Sequence, residues 1–375
     1  MTDQRLVDGF GVTKEWVEET MSKEFNDKAS VAKVDVLNVC GYMSAIAKVH
    51  LSWATENDKF PNSVVAKLPS GLAAEEAWKK CGHMEEGQEA PPDPIHEHMH
   101  NTEIKVYSLF KKAPSTELRS PQLYGSRPMN SAPVLLMEDI GDSFHVDLVE
   151  GFTEKQLYPI MDQIIALAKW SHKNTDLWQD VKFDMKFDPD GENFADSIVK
   201  MMDSMAKDDA RLEKPFELLK KNFAHDSKWM KRQKEELTDS GKAVFIHGDL
   251  WAPQILWRGD EIASIVDWAL CRPGPMTEDI LRVLTTCCTT DVRRKMTEPL
   301  LEYYAKHMDN EVTLEEEDYR KALPASCTMM CFAVCMWSHS PVLRHGKDDD
   351  EERVRHMRDR LIATIEDTAE ILGWN

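Results

Sequence analysis

Two hydrophobic periodicities divide this chain, and the division constrains its fold more than any other feature. Ala45 to Trp53 sets Ala47, Val49, Leu51 and Trp53 on one face and Lys48, His50 and Ser52 on the other, the alternation of a half-buried antiparallel strand. Asp35 to Val39, Ser63 to Leu68, Leu123-Tyr124 and Val134 to Met137 read as further strands. Within this region an opening helix is expected over Thr13 to Phe25 and a second over Asn101 to Lys111. A short helix-like piece, Ala73 to Cys81, is followed by the breaker Ala90-Pro91-Pro92-Asp93-Pro94. Beyond Gly141 the period becomes helical: Glu154 to Lys173 aligns Leu157, Ile160, Met161, Ile164, Leu167, Ala168 and Ser171 on one stripe. Helices are also expected over Asn193 to Ala206, Leu212 to Lys221, Lys228 to Ser240, Thr277 to Thr289, Val292 to Met308, Glu315 to Cys335 and Asp350 to Leu372. The expectation is an α+β chain of two lobes: residues 1–140 around a small antiparallel sheet, and residues 141–375 mainly helical.

Bulk properties set limits on function. A chain of 375 residues can bury a large core. Its formal charge of −20 repels a phosphate backbone, which argues against a nucleic-acid partner. No apolar stretch approaches the roughly 20 residues of a membrane span. The start, Met1-Thr2-Asp3-Gln4-Arg5, has neither a secretory apolar core nor an Arg-rich transit pattern, so a cytoplasmic location is the default. Cys327, Cys331 and Cys335 recur every four residues, a spacing that lines one face of a buried helix. The run Asp348 to Glu352 suits the first turn of the last helix.

The chemistry concentrates in His247-Gly248-Asp249-Leu250-Trp251-Ala252-Pro253-Gln254 and Ser264-Ile265-Val266-Asp267-Trp268. Asp249 follows the apolar run Ala243 to Ile246; Gln254 comes five residues later and Asp267 eighteen, at the end of another β-rich run. Phosphoryl transfer needs such a layout: one carboxylate facing an acceptor hydroxyl, with an amide and a second carboxylate holding Mg²⁺ on the phosphates of ATP. Asp249 is the candidate base, Asp267 and Gln254 the candidate metal ligands, and His247 a brace for the loop. Only ten residues separate Asp267 from Glu278, in the first turn of an expected helix, too short a connection for a peptide-binding platform. A small-molecule alcohol is therefore the expected acceptor, and oligomeric state is not legible.

These motifs resemble the kinase-like superfamily of aminoglycoside phosphotransferases and choline and ethanolamine kinases, especially its CHK kinase-like (ecdysteroid-kinase-like) group, expanded in insects and nematodes. The resemblance runs from about Asp35 to Trp337. It implies a protein-kinase-like fold and ATP with Mg²⁺. Cys40-Gly41-Tyr42-Met43-Ser44 resembles that group's nucleotide-loop turn, which implies phosphate contacts from Ser44 and from backbone near Gly41. Lys67 matches the phosphate-binding lysine, and Glu103, in His100 to Tyr107, the helix glutamate that pairs with it. Leu136-Met137-Glu138-Asp139-Ile140 resembles the hinge, so backbone groups of Glu138 and Ile140 would hold adenine with Met137 behind it. Asp279, in Glu278-Asp279-Ile280-Leu281-Arg282, is expected to cap or brace a helix.

Gln254 stands where the family carries Asn. Its extra methylene and torsion loosen a ligand for an ion that demands near-ideal octahedral geometry. Two readings therefore stay open: a small-molecule kinase, or a pseudokinase that binds nucleotide with little turnover. His96, His98 and His100, with Cys81 and His83 upstream, are expected to be solvated or capping loop residues. Met329, Met330, Phe332, Met336 and Trp337 are expected in the core. For a quaternary-amine substrate, Trp268 or Trp337 would be the cation–π wall.

Overall fold

The computed structural model describes residues 5–41, 43–70, 94–181, 188, 190–308, 314–340 and 351–375. The Ala73–Cys81 piece, His83, Tyr42, residues 90–93 and Asp348 to Asp350 lie outside the described residues.

Helix α1 (Lys14–Phe25) starts where Thr13 accepts the Trp16 amide at 3.2 Å and stops at Asn26, whose φ of 51° only a few residue types adopt readily. Five strands follow: β1 (Ala29–Gly41), β2 (Ser44–Trp53), β3 (Ser63–Pro69), β4 (Leu123–Arg127) and β5 (Val134–Glu138). They form one antiparallel sheet in the order β1-β2-β3-β5-β4. Val64, Ala66 and Leu68 are fully buried with Val17 and Met21 of α1, so the two-residue period turns Val65 and Lys67 to the other face. Strand β1 begins at Ala29, before the expected Asp35. A register shift between Val31 and Lys33 breaks the alternation that would have revealed it.

Helix α2 (Pro94–Lys112) is inserted between β3 and β4 and starts well before Asn101. The histidines expected in a loop are therefore helical. His96 and His100 are buried and hydrogen bonded to the carbonyls of Met43 and Arg127, at 2.8 Å each. In this way α2 is tied to the β1–β2 turn and to the end of β4.

After the sheet come the helices α3 (Glu154–Lys173), α4 (Glu192–Asp208), α5 (Glu213–Leu219) and α6 (Trp229–Ser240). A capping box between Thr153 and Gln156 opens α3. Four short strands follow: β6 (Ala243–Ile246), β7 (Ile255–Arg258), β8 (Glu261–Ile265) and β9 (Arg272–Pro275). β6 pairs with β9 and β7 with β8, all antiparallel. Strand β9 was not expected, because its Arg-Pro-Gly-Pro composition carries no strand signal. Helices α7 (Thr277–Cys287), α8 (Thr290–His307), α9 (Glu316–His339) and α10 (Glu351–Leu372) complete the chain. Cys327, Cys331 and Cys335 are buried on α9. One large core joins these helices to β6–β8 and to Val106 and Tyr107 of α2. Among the described residues no helix is long and apolar enough to cross a membrane.

Candidate active site

The two-stranded sheets β6/β9 and β7/β8 carry the two acidic motifs. Asp249 sits in the loop after β6, and Asp267 just past β8. Asp267 adopts φ 65° and ψ 59°, a left-handed conformation that a non-glycine residue keeps only when its surroundings hold it. They do: Lys67 Nζ lies 2.6 Å from Asp267 Oδ1, and Gln254 Nε2 donates to Asp267 Oδ2 at 3.0 Å. The same ammonium donates to Glu103 Oε2 at 2.7 Å, so β3, α2 and the β8 loop meet at one nitrogen.

Shared charge decides which acid keeps its proton. Burial alone would push the Lys67 ammonium down, but the Asp267 and Glu103 carboxylates override it and hold its pKa above the usual lysine value. Burial would raise Asp267, but Lys67 pulls its carboxyl below the ordinary range. Glu103 is only 2% exposed, and burial pushes it up to about 7 against the pull of the same lysine. Asp267 is thus the ionised partner and Glu103 the one that takes a proton first.

The catalytic-loop candidate is braced from behind. His247 donates Nε2–H to the Val266 carbonyl at 3.0 Å and packs on Trp268 with ring centroids 4.7 Å apart. That tautomer leaves Nδ1 free to accept the Asp249 amide at 3.3 Å. Burial pushes the ring down to about 4, so it stays neutral. Asp279, on α7, accepts the backbone amides of His247 and Gly248 at 2.8 and 3.0 Å, while the α7 N-terminus has no side-chain cap. Its role is therefore to hold the loop, a correction to the expectation that it caps or braces a helix. Gly248, with φ +79°, lies so close to Leu270 that an added Cβ would meet the carbonyl oxygen at 2.3 Å; only glycine fits.

The neutral state of His247 sets a pH dependence. Its folded pKa of about 4 is below the ordinary histidine value, so its contribution is complete above about 6.5 and is lost as pH falls toward 4. The stability advantage of the wild type over His247→Gln should shrink by about 3 kcal/mol between pH 7 and pH 4. Parallel urea titrations in that range measure it, and a constant gap would show the ring to be unperturbed.

Asp249 Oδ1 pairs with Arg282 at 2.8 Å; burial raises its pKa, and the guanidinium only partly offsets this. Arg282 also lies over the Trp251 ring, 5.6 Å from its centroid. Sequence reasoning gave Arg282 no role, although a signal existed: Asp279 and Arg282 are three apart on one helix and so share a face.

A cavity of about 840 Å³ brings most of the candidates together. Ser44, Lys67, Glu103, Met137, Glu138 and Ile140 line one half, and Asp249, Gln254 and Asp267 the middle. Gly41 pairs with Ser44 to close the β1–β2 turn. The segment after β5 is fastened by Asp139, which accepts Ser63 at 2.5 Å and the Gly141 amide at 2.9 Å and pairs with Lys48 at 2.7 Å. The Ile140 carbonyl is taken by Arg258, which leaves its amide as the group it can offer.

The helical part also lines the cavity, mostly with apolar side chains (Phe194, Trp229, Met230, Leu281, Met329, Phe332 and Met336) but also with Gln233, Glu278 and Ser326. Met329 and Phe332 were expected in the core, yet they are only partly buried where one face of α9 borders the cavity, while Met330, Met336 and Trp337 are buried in the core as expected. The tryptophans at the cavity are Trp229 and Trp251; Trp268 and Trp337 are 1% and 2% exposed and belong to the core. Periodicity identifies the buried stripe of a helix, but not which of its flanks borders a void.

Comparison with known proteins places the chain. It belongs to the family DUF1679, described as "Uncharacterized oxidoreductase dhs-27", whose model matches residues 9–372. It is 26% identical over 316 residues to the Caenorhabditis elegans protein of that name, covering 78% of this chain; the chain spans only 37% of that relative's length. It is 22% identical over 289 residues to the "Uncharacterized kinase-like protein D1044.1" of the same nematode, covering 71% of this chain and 74% of the relative. Among solved structures, a spectinomycin phosphotransferase in complex with ADP and spectinomycin matches with TM-score 0.50 and 10% identity, over 96% of this chain and 99% of that one. The fold is thus α+β and kinase-like, with a five-stranded antiparallel sheet followed by a larger helical part.

Proposed function

We propose that this chain is an ATP- and Mg²⁺-dependent phosphotransferase of the CHK kinase-like type, acting on a hydroxyl of a small, largely apolar molecule. The observation that carries it is the convergence of Lys67, Glu103, Gln254 and Asp267 in one hydrogen-bonded chain beside Asp249, across 200 residues of sequence, on one cavity. In this reading residues 1–140 hold the nucleotide, residues 141–375 supply the acceptor site, and the protein works in the cytoplasm without a nucleic-acid or membrane partner.

Each residue then has a task. The Met137–Ile140 hinge holds adenine, through the Glu138 carbonyl and the Ile140 amide. Lys67, aimed by Glu103, meets the phosphates, and Ser44 with backbone near Gly41 covers them. Asp267 and Gln254 offer the hard oxygen donors that suit Mg²⁺, and the Gln254 amide that donates to Asp267 exchanges nitrogen for oxygen by one turn of its last torsion. Bound there, Mg²⁺ would neutralise phosphate charge. Asp249 orients the acceptor hydroxyl and takes its proton as the oxygen–phosphorus bond forms and the bond to the ADP oxygen breaks.

The mostly apolar lining from the helical part favours a hydrophobic alcohol, since strongly hydrated groups would find few replacement hydrogen bonds there. The word oxidoreductase stands in the family's description and in the name of a relative of which this chain spans about a third. Every strand pairing among the described residues is antiparallel, whereas dinucleotide-binding sheets are built from parallel strands.

One observation favours a pseudokinase as the second reading: Asp267 is already engaged by Lys67 and by the long Gln254 side chain. A panel of hydroxylated compounds tested for ATP consumption, with wild type and Gln254→Asn side by side, separates the two. An enzyme should respond to apolar alcohols, and Gln254→Asn should change its Mg²⁺ requirement and raise turnover several-fold. ATP binding without consumption in either protein would establish the pseudokinase, and no ATP binding at all would end both readings.

A further inference from the structure

Arg282 has the features of a residue waiting for an anion. It projects from α7 to the cavity, side chain 15% exposed, with one guanidinium nitrogen on Asp249 Oδ1 at 2.8 Å. Its other terminal nitrogen, Nη1, is shut off from solvent and has no hydrogen-bond partner among the described residues. A buried cationic N–H without an acceptor is costly, so the resting pose leaves the side chain one partner short. The stacked Trp251 ring holds the guanidinium plane without consuming a donor.

Other cations at the cavity are committed. Lys67 is shared between Glu103 and Asp267 on the nucleotide side. Arg272 is bound to Glu278 and to the Leu270 carbonyl. Arg282 stands apart because its carboxylate partner is the group that must receive the acceptor hydroxyl. A hydroxyl hydrogen bonded to Asp249 would share that carboxylate with Arg282.

Given the phosphotransferase reading above, on which this rests, we propose that Arg282 is a further catalytic residue: it re-aims from Asp249 to the equatorial oxygens of the phosphoryl group in transfer. The acceptor oxygen bonds phosphorus as the bond to the ADP oxygen breaks. ADP keeps that electron pair, the hydroxyl proton passes to Asp249, and Arg282 balances charge on the oxygens in flight, with no proton exchanged. A donor that reaches those oxygens only as the phosphoryl group transfers acts on the transition state rather than on bound ATP.

The test uses the full chain with Mg²⁺, comparing the affinity of ADP alone with that of ADP plus aluminium fluoride, a mimic of the phosphoryl in flight. In the wild type the mimic should tighten ADP binding. Arg282→Met should keep the affinity for ADP alone and lose about 100-fold in affinity for the mimic complex, with Arg282→Lys recovering only part. The same substitution in an Asp249→Asn background separates contact from positioning: a residue that merely orients Asp249 would add no loss there, whereas direct contact adds its own. Equal mimic affinity in wild type and Arg282→Met, both binding ADP, overturns the role of Arg282 alone. A wild type that binds no ADP overturns the phosphotransferase reading instead. Should Arg282→Met fail to fold, Arg282→Lys and Arg282→Gln supply the same comparison.

Discussion

Asp249→Asn should lose about 10²–10⁴-fold in ATP turnover while keeping its fold and its affinity for ATP. The loss follows from chemistry: the amide oxygen can still accept a hydrogen bond from a hydroxyl, but it cannot take the proton as phosphorus is attacked. Retention of the fold follows from the contacts. The loop is held by Asp279 on the His247 and Gly248 amides and by His247 on Val266, none of which involves the Asp249 side chain. Arg282 keeps an oxygen acceptor at the same place. Turnover and ATP titration in one preparation check both halves, and undiminished turnover would remove Asp249 from the chemistry.

Lys67→Met should act on stability and nucleotide binding together. Lys67 is 13% exposed, Glu103 2%, and removing one partner from a buried ion pair leaves the other charge uncompensated. The sign of the pH dependence follows from Glu103. Its folded pKa of about 7 exceeds the ordinary carboxylate value, so its contribution is complete below about 4.5 and is lost as pH rises through 7. Without the ammonium the carboxyl resists ionisation further. The variant should therefore be about 3 kcal/mol less stable than the wild type at pH 8 and closer to it at pH 5. ATP affinity should fall about 10–100-fold, the worth of a lost charge-assisted contact. Denaturant titrations at the two pH values, with ATP titration at pH 8, measure this. A gap that narrows as pH rises would mean that Glu103 is not the buried partner.

Much of the candidate site was legible because its spacing is local. Asp249, Gln254 and Asp267 lie within nineteen consecutive residues, each placed against an apolar run. Lys67, at the end of the apolar run Ser63 to Leu68, was legible only through the resemblance to kinase-like motifs. The edges of elements were harder. The β1 bulge hid the first residues of that strand, and α2 begins at a proline that, read alone, is a breaker. Strand β9 has no propensity at all and exists because β6 is there to pair with it.

Amino-acid order by itself determined the α+β class, the strand that bears Lys67, the helix that bears Glu103, and the run holding Asp249, Gln254 and Asp267. All are properties of short windows: period, apolar runs and residue chemistry at fixed offsets. Tertiary structure alone decided that one ammonium serves both Glu103 and Asp267, that Asp279 holds the His247–Gly248 backbone, that Arg282 faces Asp249, and that a flank of α9 borders the cavity. Those facts depend on distances between elements far apart in sequence, fixed by how large side chains fill the shared core, and no local pattern encodes them.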